Sequence, residues 1–518
     1  MNNILFFFIF IIFISFSTSD VADKYVFVFT HFRHGARAVS GIDNESLDLL
    51  KEKWTNPGEL TGIGQRIHYL LGLRNRKRYI TDQKFLSEKF DAHELLIYSS
   101  NYNRTLVSVN CQLQGLYPQN YELGEVLTEE QEKISYPQVK VDYDEIKEEI
   151  EKLNRSSLPH RMTVSPIRMI NDFEKKILIT EIDGCSKKAY KIIDKNLEDI
   201  PALTEVVDSF NNKYGEKMNT FLGTKDKKYD IYYIWKICEA FLSDTTGDKD
   251  LTEFKKAGID FKELEDYCLD FGAKDNLYYM FGDSEKKIVR LESSKRMREF
   301  IHYMKNRIDA DIKGEKIEEQ YKDYSRPKML MISGHETTVS SDQVFLMNAF
   351  GFNSSFYKFP KYASQMALEV TTKDDGKKKN DYSDYFVNYY LDDNHKFNIT
   401  AKEFIEKVEP QLWTDDEIDK FCESDTDGNV KENKNKNDND LDETFYLTNS
   451  TTIPKVKDKA KTAYKVLMII FICLSVILLA VAIVMGCKLI KKMRAPYPQI
   501  NHMTNYSGKV MNTIDNYN

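Results

Sequence analysis

The sequence predicts an α/β protein with a mixed central sheet flanked by helices, and three stretches of its 518 residues carry that prediction. Each is a short apolar run rich in strand-forming residues, followed by a polar loop and then a helical pattern. Lys24 to Thr30 (KYVFVFT) runs into His31-Phe32-Arg33-His34-Gly35-Ala36-Arg37. Leu95 to Tyr98 runs into Ser99-Ser100-Asn101, and Lys328 to Ile332 into Ser333-Gly334-His335-Glu336. Strand, polar loop and helix in repetition make an α/β core. In open sheets of this kind ligands gather beyond the carboxyl ends of the strands, so these three loops are where chemistry is expected.

The remaining elements follow in chain order. Residues 57–80 have a Gly-rich start, helical spacing at Leu60, Ile67, Leu70 and Leu71, and a basic end. A helix is expected from about Asn103 to Leu116, stopped by Pro118. From about 120 to 310 the chain is charged and helix-like, which reads as a mainly helical cap inserted in the 20–423 domain. A further helix runs through Phe350. Ala367 to Thr372 and Tyr385 to Leu391 read as two strands of a hairpin turning through Asp374-Asp375-Gly376. Residues 424–465 open with a stretch rich in Asp, Asn and Lys and read as a disordered stalk.

Both ends speak for a membrane-bound, lumenal or extracellular protein. Ile4 to Phe16 is almost wholly Ile and Phe and is followed by Ser17-Thr18-Ser19, so residues 1–19 are expected to be a cleaved signal peptide. Val466 to Cys487 carries no charge. As a helix it would reach about 33 Å, enough to cross the hydrocarbon core, so 466–487 is expected to be a transmembrane helix. Lysines flank it on both sides, and charge asymmetry hardly orients it. The signal peptide does, giving a single-pass type I protein with a cytosolic tail over 488–518. In that tail Tyr497-Pro498-Gln499-Ile500 has the form of a sorting signal read by an adaptor, which suits lysosome-like vesicles or the cell surface. Sequons at Asn44, Asn103, Asn154, Asn353, Asn398 and Asn449 fit a glycosylated domain. Five lumenal cysteines (Cys111, Cys185, Cys238, Cys268, Cys422) leave at least one outside any intrachain pair. A net charge of −8 excludes a general nucleic-acid binder.

The first loop carries the densest chemistry. Guanidinium forks such as those of Arg33 and Arg37 match phosphate oxygens two at a time. Positive charge around His34 disfavours its protonation, and neutral histidine can attack phosphorus. On these residues alone, an ordinary basic surface loop remains the competing reading. His31 reads as a strand-end histidine with a local hydrogen bond, and Arg104 as a residue in a surface ion pair.

The neighbouring blocks add a resemblance. Arg33-His34-Gly35-Ala36-Arg37 resembles the signature of the histidine acid phosphatase family. So do Gly58-Glu59-Leu60-Thr61-Gly62-Ile63-Gly64, then Ser99-Ser100 with Asn103-Arg104-Thr105-Leu106, and Ser333-Gly334-His335-Glu336-Thr337-Thr338-Val339. Tyr362-Ala363-Ser364 also fits, and the blocks fall in the family's order from about 24 to 420. The resemblance implies the histidine phosphatase fold and hydrolysis of phosphate monoesters at acid pH. It makes His34 the nucleophile, Arg33, Arg37, Arg104 and His335 the phosphate ligands, and the acid after the second histidine the proton donor. No metal and no cofactor is implied, and a homodimer is compatible with it.

Two residues depart from the family pattern: Val39 stands where proline is usual, and Glu336 where aspartate is usual. Glutamate keeps a titratable carboxyl but is one methylene longer, and displacements of that size cost about a hundredfold in rate. A phytase or inositol-polyphosphate phosphatase of the same family, and a catalytically inactive receptor-like relative, remain open alternatives. Asp425, Asp427 and Asn429 resemble the start of a calcium loop, but Gly428 is misplaced and Lys436 stands where the loop needs its acid, so calcium is not expected.

Overall fold

In the computed structural model, which describes residues 22–39, 56–121, 123–135, 146–170, 186–245, 257–315 and 327–423, seven strands form one mixed sheet. They are β1 (Asp23–Arg33), β2 (Leu95–Ser100), β3 (Arg168–Ile170), β4 (Met329–Gly334), β5 (Gln365–Lys373), β6 (Tyr385–Leu391) and β7 (Asn394–Thr400). Their order is β3-β2-β4-β1-β5-β6-β7. The first four run parallel to one another, and β5, β6 and β7 continue antiparallel. Register aligns Arg33 with Gly334 and Ser99 with Ser333, so β1, β2 and β4 end at one level. The three polar loops therefore leave the sheet side by side.

β1 shows why its sequence is so apolar: helices cover both of its faces. Phe27 and Phe29 enter one core, while Val28 and Phe32 enter the other, as the two-residue period of a strand requires. The second core is closed by Tyr79 and Ile80, which follow α1 (Gly62–Arg76), and by α2 (Asn103–Leu116). These helices approach so closely that a Cβ on Gly72 or Gly115 would strike the other's backbone. The first core takes in α3 (Ser186–Asp199), α4 (Pro201–Leu222), α5 (Ile231–Thr245) and α6 (Phe261–Lys274). α7 (Lys287–Lys313) lies on β1, with the Phe300 ring 5.9 Å from Phe27 and 5.7 Å from Phe29. α8 (Glu336–Phe350), α9 (Ala401–Val408) and α10 (Asp415–Glu423) are the last helices among the described residues. The helical insertion thus shares one continuous apolar core with the sheet.

Several expectations are refined. The helix over 103–116 stands as read, and the hairpin read from Ala367 forms with its first strand two residues longer at the start, from Gln365. The helix expected over 57–80 begins at Gly62 and continues beyond Arg76 as a π-helical turn, Lys77–Asp82, which brings Arg78 and Tyr79 onto the buried Glu369. β3 lies inside the stretch read as helical, and β7 was not anticipated. Cys238 and Cys268 form a disulfide joining α5 to α6, Cys422 is also disulfide-bonded, and Cys111 keeps a free thiol. The sequons at Asn103, Asn154, Asn353 and Asn398 are exposed. No described helix is long and apolar enough to cross a membrane. The expected signal peptide, stalk, membrane span, tail and 425–436 segment all lie outside the described residues.

Between α7 and α8 the protein buries an ion pair. Arg296 and Asp342 are both wholly inaccessible, with Arg296 Nε 3.0 Å from each oxygen of Asp342. His31 Nδ1 reaches the same carboxylate at 2.8 Å. Removing one partner strands a buried charge, which costs about 3–5 kcal/mol. Asp342→Ala should therefore lose stability of that size in urea unfolding, well beyond the effect of a surface Asp→Ala change.

Candidate active site

Hydrogen bonds of its backbone hold the first loop against the end of β4, against α2 and against the segment before β5. His34 N–H donates to Gly334 O at 2.9 Å, and Arg33 N–H to Ser364 O at 3.0 Å. Gly35 N–H donates to Ser108 Oγ of α2 at 3.0 Å, and Ala363 N–H to His34 O at 3.1 Å. Gly35 is required here: a Cβ would come 2.6 Å from Gly64 O and 2.9 Å from His68. The residue after the histidine can thus settle against the start of α1 only without a side chain.

His34 is buried in this frame. Its Nδ1 lies 2.9 Å from Gly35 O. A carbonyl only accepts, so Nδ1 carries the proton and Nε2 keeps its lone pair. Burial first, then Arg104, Arg33, Arg37 and His335, hold its pKa well below the ordinary histidine value, so the ring is neutral. The Tyr362 ring lies 5.8 Å from it and the His335 ring 5.6 Å.

The other expected residues converge on the same pocket. Arg33 is stacked by Tyr362 at 4.4 Å, donates to Pro360 O at 2.8 Å and approaches Glu336 Oε2 at 3.2 Å, while its buried Nε finds no partner. Arg37 donates to Ala38 O at 3.0 Å and is ion-paired with Glu239 of α5. Arg104 lies in the first turn of α2, over the Tyr102 ring at 4.5 Å, with its Nε also unpartnered. It is not a surface ion-pair residue: burial and the neighbouring Arg37 bring its pKa down to about 10. Crowded guanidiniums with buried, unspent donors make a site that an anion would relieve. His335 caps the N-terminus of α8, and its Nε2 lies 2.9 Å from Ser100 Oγ. Burial and the three arginines keep this ring neutral as well.

Glu336 opens α8. Asn276 donates to its Oε1 at 2.7 Å while Arg33 faces its Oε2, so both oxygens of the longer side chain are held. Burial raises its pKa, opposed by Arg33 and the Asn276 bond. Asp275, beside Asn276, is buried, and its pKa is raised well above the carboxylate range, so it stays neutral next to Glu336. Asn276, Asp275 and Glu239 were missed from sequence. The one signal available for Glu239 was a lone acid within the apolar run Ile231–Leu242. His31 corrects a reading: its partners are not local but Asp342 and Thr338 Oγ1, the latter at 3.1 Å and bonded in turn to the His335 backbone. Among the described residues no cluster could hold a metal ion. A cleft of 340 Å³ beside Tyr362 contains none of these catalytic candidates.

A model of the histidine phosphatase superfamily (branch 2) matches residues 27–392. The chain belongs to this superfamily. Among similar histidine phosphatases, human prostatic acid phosphatase is 39% identical over 113 residues, 21% of this chain and 28% of that protein. Bovine prostatic acid phosphatase is 25% identical over 374 residues, 70% and 76% of the two chains. Lysosomal acid phosphatase of Xenopus laevis is 38% identical over 94 residues, 18% and 21%. The chain aligns with about a quarter of the length of the first curated relatives it matches. The phytase of Citrobacter braakii superposes with a TM-score of 0.48 at 11% identity, over 75% of this chain and 98% of that one.

The neutral histidines have a cost at low pH. His68, under the loop and 3.2 Å from Gln112 Oε1, is pushed down to about 4 by burial. In the unfolded chain it takes its proton near 6.5. Between those values the unfolded state binds more protons, so stability falls as pH falls, by roughly 3 kcal/mol for this group at pH 4. His68→Gln should lose less stability than the wild type between pH 7 and pH 4 in urea titrations. An equal loss would contradict this account of His68.

Proposed function

We propose that this protein hydrolyses phosphate monoesters at acid pH through a phosphohistidine on His34. The observation that carries the reading is the neutral, Nδ1-protonated His34 facing three arginines in a buried pocket. A dianionic phosphoryl group would enter among Arg33, Arg37, Arg104 and His335, which neutralise its oxygens in the transition state. The His34 Nε2 lone pair attacks phosphorus, the ester P–O bond breaks, and Glu336 gives its proton to the departing oxygen. Water then attacks the phosphohistidine and returns a proton to Glu336. The P–N bond breaks, its electron pair goes back to Nε2, and inorganic phosphate leaves. The raised pKa of Glu336 keeps the donor protonated at acid pH, while the depressed pKa of His34 keeps the nucleophile neutral there.

The same proposal places the catalytic domain on the lumenal or extracellular side of a single-pass type I protein in lysosome-like vesicles or at the cell surface. The apolar runs Ile4–Phe16 and Val466–Cys487, the exposed sequons and the disulfide support it. The tail signal Tyr497–Ile500 would bring a sorting adaptor.

Assay of the full chain with an aryl phosphate across acid to neutral pH tests the chemistry. His34→Ala should abolish turnover. Glu336→Gln should lower kcat by about 10²–10⁴-fold, most for poor leaving groups. A correctly folded wild type without activity would overturn the proposal. Asn276 supplies a pH test with a defined sign. Its hydrogen bond favours ionised Glu336, so Asn276→Leu should raise the donor's pKa and move the alkaline limb of kcat to higher pH. An unmoved limb would mean that Glu336 does not set it.

A further inference from the structure

The acid-phosphatase reading leaves one buried charge at the site without a role. Glu239 sits on α5, within the helical insertion, and its carboxylate is ion-paired with Arg37, one of the proposed phosphate ligands. Both side chains are almost enclosed, at 8% and 6% exposure. One helical turn on, Ser243 Oγ lies 2.9 Å from the hydroxyl of Tyr362, whose ring stacks on Arg33 and lies against His34. The 239/243 face of α5 is therefore a wall of the catalytic pocket. The adjoining Cys238 is tied to α6 by its disulfide, which fixes the wall in place. Electrostatically, Glu239 supports the charge of Arg104 and discourages ionisation of Glu336.

We infer that Glu239 is a specificity-determining residue that selects leaving groups by charge. Deepening the proposed phosphatase function, it is a negative charge in the pocket wall, paired with a phosphate ligand, and so disfavours leaving groups bearing further phosphates. Like charges in a partly desolvated pocket repel far more than in water, and specificity is often built from such a repulsive element. Neutral leaving groups are indifferent to it, and cationic ones are drawn in. Phosphate itself enters by sharing Arg37 with Glu239, since a guanidinium presents five N–H donors.

The test compares Glu239→Gln, nearly isosteric and uncharged, with the wild-type full chain at a pH above the ordinary glutamate range. The substrates are 4-nitrophenyl phosphate, myo-inositol hexakisphosphate and O-phosphocholine. Relative to the aryl phosphate, kcat/KM should rise about tenfold for the hexakisphosphate and fall for phosphocholine. An equal change on all three substrates, or none, would overturn the inference and leave Glu239 as a structural partner of Arg37. A measurement without turnover separates this from failure of the phosphatase reading. By calorimetry, Glu239→Gln should tighten myo-inositol hexakissulfate more than inorganic phosphate. Should the wild type prove inactive while this binding difference appears, the chemistry fails and the charge selection stands. Equal binding changes would sink the selection whatever the activity.

Discussion

Three guanidinium groups held together away from water repel one another, and most of the unusual features around the pocket follow from that repulsion. Arg33 ends β1, Arg37 follows in the same loop, and Arg104 lies in the first turn of α2 just after β2, so two loops leaving the sheet side by side bring them there. Each cation has a partner that offsets its charge: Glu336 and Pro360 O for Arg33, Glu239 and Ala38 O for Arg37, and the face of Tyr102 for Arg104. Burial, and after it the field of these arginines, keeps both His34 and His335 neutral. A phosphoryl dianion is the natural complement of such a field.

The same field explains how glutamate can stand where aspartate is usual in the family. A longer carboxyl is useful only if its position is over-determined. Here Arg33 takes one oxygen and Asn276 the other, and Asn276 comes from the π-helical turn that follows α6. The helical insertion is thus part of the site: it holds Glu336 through Asn276, sets a neutral carboxyl beside it in Asp275, and presents Glu239 to Arg37. Its apolar side is continuous with the core of the sheet, so these groups rest on packed structure.

The sequence disclosed the central part of this arrangement because its signals are local. The strands leading to Arg33, Ser99 and Gly334 are apolar runs ending in polar loops, and the helix over 103–116 is bounded by a proline that any reading would notice. Arg33, His34, Arg37, Arg104, His335 and Glu336, from stretches far apart in the chain, lie around one pocket. What stayed hidden depends on contacts between distant segments. β3 has three residues, too few for a period, and β7 lies at the edge of the sheet with most of its residues wholly or partly exposed. Glu239 and Asn276 look like surface residues in a chain that is 30% charged, and only the fold turns them inward. His31 was read as local although its partner lies 311 residues away, because nothing in its neighbourhood marks a buried bond to Asp342.

The central claim is that phosphorus is transferred first to His34 and only then to water. It is tested most directly by mixing the protein with an aryl phosphate, quenching within a turnover into alkali, where phosphohistidine survives, and locating the modification by peptide mass spectrometry. The account predicts a phosphoryl group on the peptide bearing His34, absent from His34→Ala and more abundant when the second step is slowed. Rapid turnover with no phosphorylated His34 peptide at any quench time, or a phosphoryl group on another residue, would contradict it.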